Sequence, residues 1–415
     1  MTILSDCSEM ARRCVRCGSC RSGCPAYGVV GREGASPRGR VALIGARAGG
    51  EDFGDAYLRS IRECTLCGSC AAACPRGVDV PSLVLAARAQ AVERDGLPAG
   101  AGFVLNGLLG SPSRMGLVFR LASTLRGLVM KSDPSGGGAV TRFDLLGGRR
   151  CLPELPPAPF LGGGRAARRE GPAGGEPKVG FFAGCVINYL LPRVGEASFR
   201  ALAGAGASVE APAGQLCCGM PALSLGDRET ARSLALRNME VFEQGGYDYV
   251  TTACATCTHA LRGLYTDLFA GDGGDMIARA AAFSSRVMDI TELLADVTGW
   301  GGGRGGAGGA TVTYHDPCHL ARYQGVKDQP RELIERSGNR FVEMRRPCSC
   351  CGLGGGLSLT NYRMSMEITR EKVENIKDSG AQVVATACPG CMVQIGDGLH
   401  RFGAEAKVVH VVELL

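Results

Sequence analysis

The 415-residue sequence predicts an α+β chain of several domains, in which a helical, cysteine-rich N-terminal domain precedes two tandem α/β domains with parallel sheets. Two observations support this prediction. Eighteen of the 21 cysteines fall into two runs of four and two sets of five. The sets of five share their internal spacing and their flanking sequence, which indicates two copies of one folding unit.

The two N-terminal runs both read C-x2-C-x2-C-x3-C-P. In the ferredoxin run with this spacing, three thiolates bind one [4Fe–4S] cluster and the fourth binds the other. We therefore expect cluster 1 on Cys14, Cys17, Cys20 and Cys74, and cluster 2 on Cys64, Cys67, Cys70 and Cys24. Two zinc sites of four thiolates each are the alternative, although zinc ribbons usually place two C-x2-C pairs well apart.

Helices are expected around these runs, over residues 1–100. Ser36 and Pro37 suit the N-cap and the first position of one helix, and a second helix is expected from Asp52 to Cys64. The long stretch between the runs does not suit the small, largely β bacterial ferredoxin. It resembles instead the α-helical ferredoxin domain of multi-subunit respiratory enzymes.

Residues 101–177 are interpreted as a helical segment followed by a linker. The apolar stretch at 101–131 contains Arg114, Arg120 and Arg126, so it lacks the roughly 20 uninterrupted apolar residues of a membrane span. We favour a helix that packs on the protein's own core, with docking on a partner subunit or a membrane surface as the alternative. The Gly-, Pro- and Arg-rich residues from 132 to 177 are interpreted as a linker or a wrapping segment, and the Gly-rich residues 299–310 as a second linker.

The sets of five cysteines define domains at 178–298 and 311–415. The first set is Cys185, Cys217, Cys218, Cys254 and Cys257, and the second is Cys318, Cys350, Cys351, Cys388 and Cys391. Equivalent cysteines are offset by 133 for the first three pairs and by 134 for the last two. The flanks repeat as well, since "KVGFFAGC" matches "TVTYHDPC" and "VMDITELL" matches "VVHVVELL".

Each copy alternates strands and helices. In the first copy, "KVGFFAG" and "DYVTTA" are expected strands, and "RETARSLALRNMEVFEQ" is an expected helix between them. "TVTYHD", "QVVATA" and "YRMSMEITREKVENIKDSG" take these places in the second copy, where Gly380 is a C-cap candidate. This alternation predicts a parallel sheet, with a site beyond the carboxyl ends of its strands.

Four cysteines follow the expected strands: Cys185, Cys254, Cys318 and Cys388. Cys257 and Cys391 fall in the first turn of an expected helix, where the helix dipole favours the thiolate. Five thiolates exceed the four that a cubane cluster needs. An adjacent pair suits a site in which thiolates bridge irons or in which the cluster is opened.

The pattern C-x31-CCG-x34-C-x2-C, which recurs with one extra residue, resembles the CCG domain of the heterodisulfide reductase family. The catalytic subunit of that family binds a non-cubane [4Fe–4S] cluster through these five cysteines. The resemblance therefore implies one or two further clusters in this chain, with ordinary clusters or zinc as alternatives.

The order of modules resembles the iron–sulfur subunit of glycolate oxidase and of related D-lactate dehydrogenases. "CVRCGSCRSGCPAYG", "SPRGRVALI", "HDPCHL" and "CPGCMVQI" carry this resemblance. The D-type component of heterodisulfide reductase and the C-type component of anaerobic glycerol-3-phosphate dehydrogenase share the same order, so motif order does not separate the three.

No G-x-G-x-x-G follows a strand, and we therefore expect FAD on a partner flavoprotein subunit. The predicted role is electron transfer from that flavin to a quinone, an electron-transfer flavoprotein, a membrane subunit or another carrier. The alternatives are a heterodisulfide-reductase-like catalyst that cleaves a disulfide at a CCG site, and a structural scaffold. No catalytic residue is assigned.

The frequent cysteines in a long chain without an apolar leader predict a cytoplasmic metal protein, peripheral at most on the inner face of the membrane. The net charge of +6 is mixed along the chain and indicates no nucleic-acid partner. Cys7 and Cys151 are expected as free thiols, and Cys348 as a bystander of the second set. His259, His315 and His319 are expected to donate a hydrogen bond to a cluster sulfur or to the backbone, with substrate protonation as the alternative. Arg38 and Arg40 are expected at a partner interface or at a solvated helix start.

Overall fold

The computed structural model describes residues 4–98, 100–133, 138–144, 147–162, 167–169, 175–302 and 309–415. Its N-terminal domain is helical, as the sequence predicts. The helices are α1 (Leu4–Arg12), α2 (Pro25–Val30), α3 (Pro37–Ala48), α4 (Gly54–Arg62), α5 (Ser69–Ala72) and α6 (Val80–Asp95), with a 3₁₀ turn at Glu33–Ala35. Ser36 accepts the Gly39 N–H at 3.0 Å and Pro37 opens α3, which confirms the predicted helix start.

The segment after α6 contains more structure than the sequence predicts. A π-helical turn (Phe103–Leu109) leads to α7 (Pro112–Thr124), α8 (Arg126–Val129) and an antiparallel sheet of β1 (Met130–Ser132), β2 (Ala139–Thr141) and β3 (Cys151–Leu152). This sheet fits the wrapping-segment interpretation rather than the linker interpretation, because β3 packs on the C-terminal helix of the chain and buries Cys151.

The favoured interpretation of residues 101–131, a helix packed on the protein's own core, is correct for one face of α7 and wrong for the other. Phe119 is buried, whereas Leu117 and Leu121 are exposed. Within the described residues, no helix has both the length and the apolar character needed to cross a membrane.

The first repeat is a five-stranded sheet with helices between its strands. The strands are β4 (Ala167–Arg169), β5 (Lys178–Phe181), β6 (Ser208–Ala211), β7 (Tyr249–Thr252) and β8 (Val287–Asp289). The helices are α9 (Gly184–Tyr189), α10 (Pro192–Gly204), α11 (Met220–Leu225), α12 (Arg228–Glu243), α13 (Ala255–His259), α14 (Tyr265–Leu268), α15 (Gly274–Ser284) and α16 (Ile290–Glu292), with π-helical turns at Ala260–Leu264 and Leu293–Val297. The strand order is β4-β6-β5-β7-β8, and β4 alone among these strands is antiparallel to its neighbour.

The second repeat is a four-stranded parallel sheet of order β10-β9-β11-β12. Its strands are β9 (Thr311–His315), β10 (Arg340–Phe341), β11 (Val383–Thr386) and β12 (Lys407–His410). Its helices are α17 (Cys318–Ala321), α18 (Asp328–Arg336), α19 (Leu357–Thr360), α20 (Tyr362–Asp378) and α21 (Pro389–Arg401), and a 3₁₀ turn follows at Val411–Leu414. Gly380 has a positive φ of 66° one residue beyond the C-cap Ser379 of α20.

The two sheets have one topology, because β6-β5-β7-β8 corresponds to β10-β9-β11-β12. This confirms the predicted fold class and the predicted parallel sheets. The order in which strands are added to the sheet reverses between β5 and β7 and again between β9 and β11. Open parallel sheets form sites at such points. The two central strands of each sheet are the ones that the sequence predicts, whereas the flanking strands are short and polar at one end and leave no clear pattern.

Arg88 joins the N-terminal domain to both repeats. It is buried on α6 and donates to the carbonyls of Cys64 at 2.7 Å, Ser224 at 2.7 Å and Gly355 at 3.1 Å. Gly355 has a φ of +62°, and a Cβ there would lie 2.5 Å from the Cys64 carbonyl oxygen. The glycines after Cys351 therefore allow the backbones of two domains to touch, which a side chain would prevent.

Candidate metal centres

The four cysteines predicted for cluster 1 line one cavity. They are Cys14, Cys17, Cys20 and Cys74, and Arg16, Arg38 and Arg76 lie around them. Cys17 is exposed, and it is the most solvent-accessible of the eight ferredoxin cysteines. Arg38 pairs with Glu33 at 2.6 Å and donates to the Arg16 carbonyl, so it holds the loop that carries the first run.

The four cysteines predicted for cluster 2 line a second cavity, together with Arg40: Cys24, Cys64, Cys67 and Cys70. Arg40 is buried and donates to the Ser60 carbonyl at 2.8 Å and to Cys24 Sγ at 3.8 Å. The alternative of a solvated helix start is therefore wrong for Arg40. Burial raises the pKa of Cys24 to about 11, so the thiolate form needs a compensating positive charge.

The two ferredoxin runs share one strained backbone conformation. Arg16 and Leu66 stand at the same place in each run, one residue before the second cysteine, and both have a φ of 56°. Non-glycine residues rarely adopt positive φ, and such strain concentrates at functional sites. The curled loops also aim backbone N–H groups at sulfur, since Leu66 N–H donates to Cys64 at 3.5 Å and Val78 N–H to Cys74 at 3.3 Å. These donors fit thiolates that hold a metal cluster.

The first set of five cysteines converges at the carboxyl ends of β5, β6 and β7. Cys217, Cys218, Cys254 and Cys257 are buried and Cys185 is half-buried. The Cys185 and Cys217 thiols touch each other, and Cys218 touches Cys217 and Cys257. The contacts with Cys217 and Cys257 lower the pKa of Cys218 well below its ordinary value.

The second set converges in the same way beyond β9, β10 and β11. Cys351 Sγ lies 3.4 Å from Cys391 Sγ. The contacts with Cys350 and Cys391 lower the pKa of Cys351 well below its ordinary value, as for its equivalent Cys218. Gly352 N–H donates to Cys350 Sγ at 3.4 Å.

His315 belongs to the second set by position. Its ring, Cys351 and Cys391 each place one possible ligand atom within 4.8 Å of the other two. The side chain is buried, and among the described residues no hydrogen bond of good geometry reaches either ring nitrogen, with only the Pro347 carbonyl nearby. A buried imidazole without partners is costly, which fits a bound group at this site.

Lys372 is the second polar group of this site. It is buried on α20, and its ammonium donates to the carbonyls of Pro347 at 2.9 Å and Arg346 at 3.2 Å, on the loop before Cys350. Burial lowers the pKa of Lys372 to about 8, against an opposing effect of the nearby thiols. The sequence does not single out this lysine, because its contacts with the loop before Cys350 depend on how α20 packs in the folded chain.

The cysteines of cluster 2, the second set and the first set form a continuous row. Contact with the Cys350 thiol, together with burial, raises the pKa of Cys67, which shows that cluster 2 cysteines touch the second set. Contacts with Cys254 and then Cys391 lower the pKa of Cys388, so the second set also touches the first. Arg322 donates to the Cys67 carbonyl at 3.0 Å, and the Tyr323 hydroxyl donates to the Leu66 carbonyl at 2.9 Å.

The histidines between the two sets contact each other rather than sulfur. The rings of His259 and His319 stack at 5.0 Å, and the ring of Tyr323 lies 4.4 Å from that of His259. His319 Nδ1 lies 3.1 Å from the Thr256 hydroxyl, which is itself 3.6 Å from Cys388 Sγ. Thr256, which the sequence analysis missed, thus links an imidazole to the second set.

Two open spaces reach the cysteine sets. A cleft of about 1070 Å³ lies between the N-terminal domain and the second repeat, with Cys350 and Cys348 on its wall. A groove of about 380 Å³ reaches Cys185 and Cys217 of the first set, and apolar side chains from Leu108, Met115 and Tyr189 line it.

Family models identify the class of protein to which this arrangement belongs. The model of the CCG family, a cysteine-rich domain, matches residues 179–262 and 312–396. A model described as a 4Fe-4S dicluster domain matches residues 10–78. The chain is an iron–sulfur protein with one dicluster domain and two CCG domains.

Individual relatives narrow the class. The probable glycolate oxidase iron-sulfur subunit of Bacillus subtilis is 32% identical, over 97% of this chain and 92% of that protein. Lactate utilization protein A of Oceanobacillus iheyensis is 33% identical, over 57% of this chain and 96% of that protein. A subunit of the fumarate reductase (CoM/CoB) of Methanothermobacter marburgensis is 36% identical over 57% of this chain, which spans only 46% of that relative's length.

This chain belongs to the family of CCG-domain iron–sulfur subunits that includes the glycolate oxidase subunit and the lactate utilization proteins A. The membership supports an oxidoreductase role and iron–sulfur clusters as cofactors.

Proposed function

We propose that this chain is the electron-transfer subunit of a flavin-dependent 2-hydroxy-acid dehydrogenase complex, with D-lactate or glycolate as substrate. FAD would lie on a partner subunit, and a quinone or another carrier would accept the electrons. The observation that carries the proposal is the row of cysteine groups, in which the second set touches both the ferredoxin cysteines and the first set.

The proposed ligands are the cysteines predicted from the sequence. Eight would hold two cubane clusters in the N-terminal domain, and the two sets of five would hold further clusters, with a non-cubane [4Fe–4S] form as the favoured type. Bound clusters accept and release single electrons, which suits a partner flavin that gives up two electrons in two steps. This chain supplies insulation, spacing and hydrogen bonds to sulfur.

The direction of transfer follows from exposure. Cys17 at cluster 1 is exposed and three arginines surround its cavity, so this end suits docking of the flavoprotein. The second set contacts the ferredoxin cysteines on one side and the first set on the other, so it suits an internal relay. The first set ends the row and opens into the groove at Cys185 and Cys217, where an acceptor would meet it. A cytoplasmic complex at the inner face of the cell membrane would suit a quinone acceptor.

The groove also supports a second candidate function. A small disulfide could reach Cys185 and Cys217 there, and one relative carries CoM/CoB in its name. In that case the chain would be the catalyst, and electrons would reach the disulfide through the same row.

The deciding experiment is anaerobic co-production of this chain with the flavoprotein encoded beside its gene, followed by iron, sulfide and flavin analysis. We expect about sixteen irons per chain, as four clusters of four irons require. We also expect flavin in the complex and dye reduction with D-lactate or glycolate. About eight irons and no activity with any hydroxy acid would overturn the proposal. Thiol release from a small disulfide by the chain without flavoprotein, with two electrons per disulfide supplied by a reduced viologen dye, would favour the second candidate.

A further inference from the structure

One surface of the chain concentrates exposed apolar side chains. Fifteen large hydrophobic residues are exposed among those the structure describes, and nine of them lie between residues 103 and 143. They are Phe103, Val104, Leu117, Val118, Leu121, Leu125, Leu128, Val129 and Phe143, which we call the apolar face. Most of them lie on elements that touch, since α7 contacts the π-helical turn and α8. Isolated exposed hydrophobics are ordinary, but a group on adjoining elements marks an interaction site.

The apolar face is held in place from behind. On the opposite side of α7, Phe119 is buried and its ring lies 5.7 Å from that of Tyr189. The Tyr189 hydroxyl donates to the Pro112 carbonyl at 3.5 Å, and the Ser123 hydroxyl donates to the Pro156 carbonyl at 3.1 Å. The helix therefore has one face fixed on the first repeat and the other turned to solvent.

The charge around the apolar face has one sign. The sequence contains no Asp or Glu from residue 96 to residue 132, whereas Arg114, Arg120, Arg126 and Lys131 lie there and are exposed. Among the described residues, none of these four side chains takes part in a salt bridge. Arg126 donates to the Leu155 carbonyl at 3.4 Å, but within the described part of the chain it too has no acidic partner. Leucine and valine on one face, with basic residues that lack acidic partners beside them, are typical of helices that lie in a membrane interface.

We propose that the apolar face docks on an anionic membrane surface, with the apolar side chains in the interface and the basic residues beside lipid phosphates. A protein partner would be expected to need acceptors or acidic groups matched to a specific pattern, and the unpaired arginines are instead spread along the whole face. The proposal of membrane docking rests only on the features of this surface. That docking brings the chain to a membrane-held electron acceptor rests on the proposed function.

The docking position deepens that function because it places the first set of cysteines near lipid. The inner side of the same helix lines the groove that reaches Cys185 and Cys217, through Met115 and Gly116. Arg120 lies on the rim of the groove and is exposed. A lipid-soluble acceptor such as a quinone could thus enter from the bilayer without crossing water.

The test is flotation of the complete, cluster-loaded chain with vesicles of phosphatidylcholine, with and without phosphatidylglycerol. We expect binding to the anionic vesicles, weaker binding at high salt, and about tenfold weaker binding for Leu117→Gln/Leu121→Gln/Leu128→Gln. The control is Ile277→Gln/Val297→Gln/Leu359→Gln, which changes three exposed hydrophobics outside the apolar face and should bind like the parent.

Two results would overturn the docking proposal: no binding of the parent chain to anionic vesicles, or equal binding by the two triple variants. Capture of the face by the co-produced flavoprotein, with loss of complex in the first triple variant, would also overturn it. Dye reduction by the complex is unaffected by membrane docking, so an active complex that does not bind vesicles would reject docking and leave the proposed function standing.

Discussion

The two repeats share a fold and five cysteine positions, yet their cysteine sets have different surroundings. At the end of the first strand, Phe182 of the first repeat corresponds to His315 of the second. On the following long helix, Asn238 corresponds to Lys372. Asn238 holds the loop before Cys218 through hydrogen bonds to Leu216 N–H at 2.8 Å and to the Cys217 carbonyl at 3.0 Å. Both repeats therefore keep the five cysteines and a helix side chain that hydrogen-bonds the loop near the adjacent cysteine pair. That side chain is a neutral amide in the first repeat and an amine in the second.

This difference has a direct electrostatic consequence. A buried ammonium and a buried imidazole stabilise a cluster in its reduced, more negative state, so the second site should have the higher reduction potential. A neutral amide and a phenyl ring leave the first site less stabilised. Since the second set lies between the ferredoxin cysteines and the first set, the row would contain unequal steps rather than two copies of one step.

The largest expected effect comes from removing one cysteine of each set. We expect Cys351→Ser to prevent substrate electrons from reaching the first set, because the proposed order makes the second set the internal relay. Cys218→Ser should leave the second set reducible. Low-temperature EPR of the complex after addition of substrate would distinguish the two variants. Reduction of the first set in Cys351→Ser, with loss of second-set reduction in Cys218→Ser, would reverse the proposed order.

The next effect concerns a pair of buried residues that end the last strands. Burial raises the pKa of Asp289 in the first repeat to about 7, and burial lowers the pKa of its equivalent His410 to about 4. Folded Asp289 holds its proton more tightly than in the unfolded chain, so its contribution to stability is lost as pH rises from about 4 to about 7. His410 acts in the opposite direction, because its contribution is lost as pH falls from about 6.5 to about 4.

We therefore expect Asp289→Asn to become more stable relative to the parent between pH 5.5 and pH 8, by on the order of 1–3 kcal/mol. Thermal unfolding of the cluster-loaded chain across this range would measure the change. The control is His410→Gln, whose difference from the parent should be flat above about pH 7. An Asp289→Asn profile parallel to that of the parent would contradict the assignment.

A smaller effect is expected at His315. Mutation of residues that surround and orient metal ligands typically lowers metal affinity 10–100-fold. We therefore expect the His315→Phe variant to lose iron to a chelator about tenfold faster than the parent, and the midpoint potential of its second site to fall. His315→Gln keeps a hydrogen-bonding group and should restore part of the potential. An unchanged EPR spectrum and potential in His315→Phe would show that the ring only fills space, as Phe182 does in the first repeat.

The sequence was sufficient for the features that repeat or that follow from spacing. It predicted the helical start at Ser36, the central strands and the convergence of cysteines beyond them, because short-range patterns determine each of these. It could not predict the contact of Cys67 with Cys350, the burial of Arg40 or the exposed face of α7. Those features depend on how distant segments pack, and a leucine looks the same in a sequence whether its face meets a core or solvent.

The smallest expected effect concerns a feature that the two repeats share, the N-cap of the long helix. The helices α12 and α20 begin with equivalent N-caps, Asp227 and Asn361, which accept the N–H groups of Thr230 at 3.0 Å and Met364 at 3.1 Å. Replacement of either cap by Ala should cost about 1 kcal/mol of stability. Asp227 also accepts the Thr230 hydroxyl at 2.6 Å, so Asp227→Ala should cost slightly more than Asn361→Ala. Thermal unfolding would measure both, and a change in cluster EPR in either variant would mean that these caps support the metal sites and not only their helices.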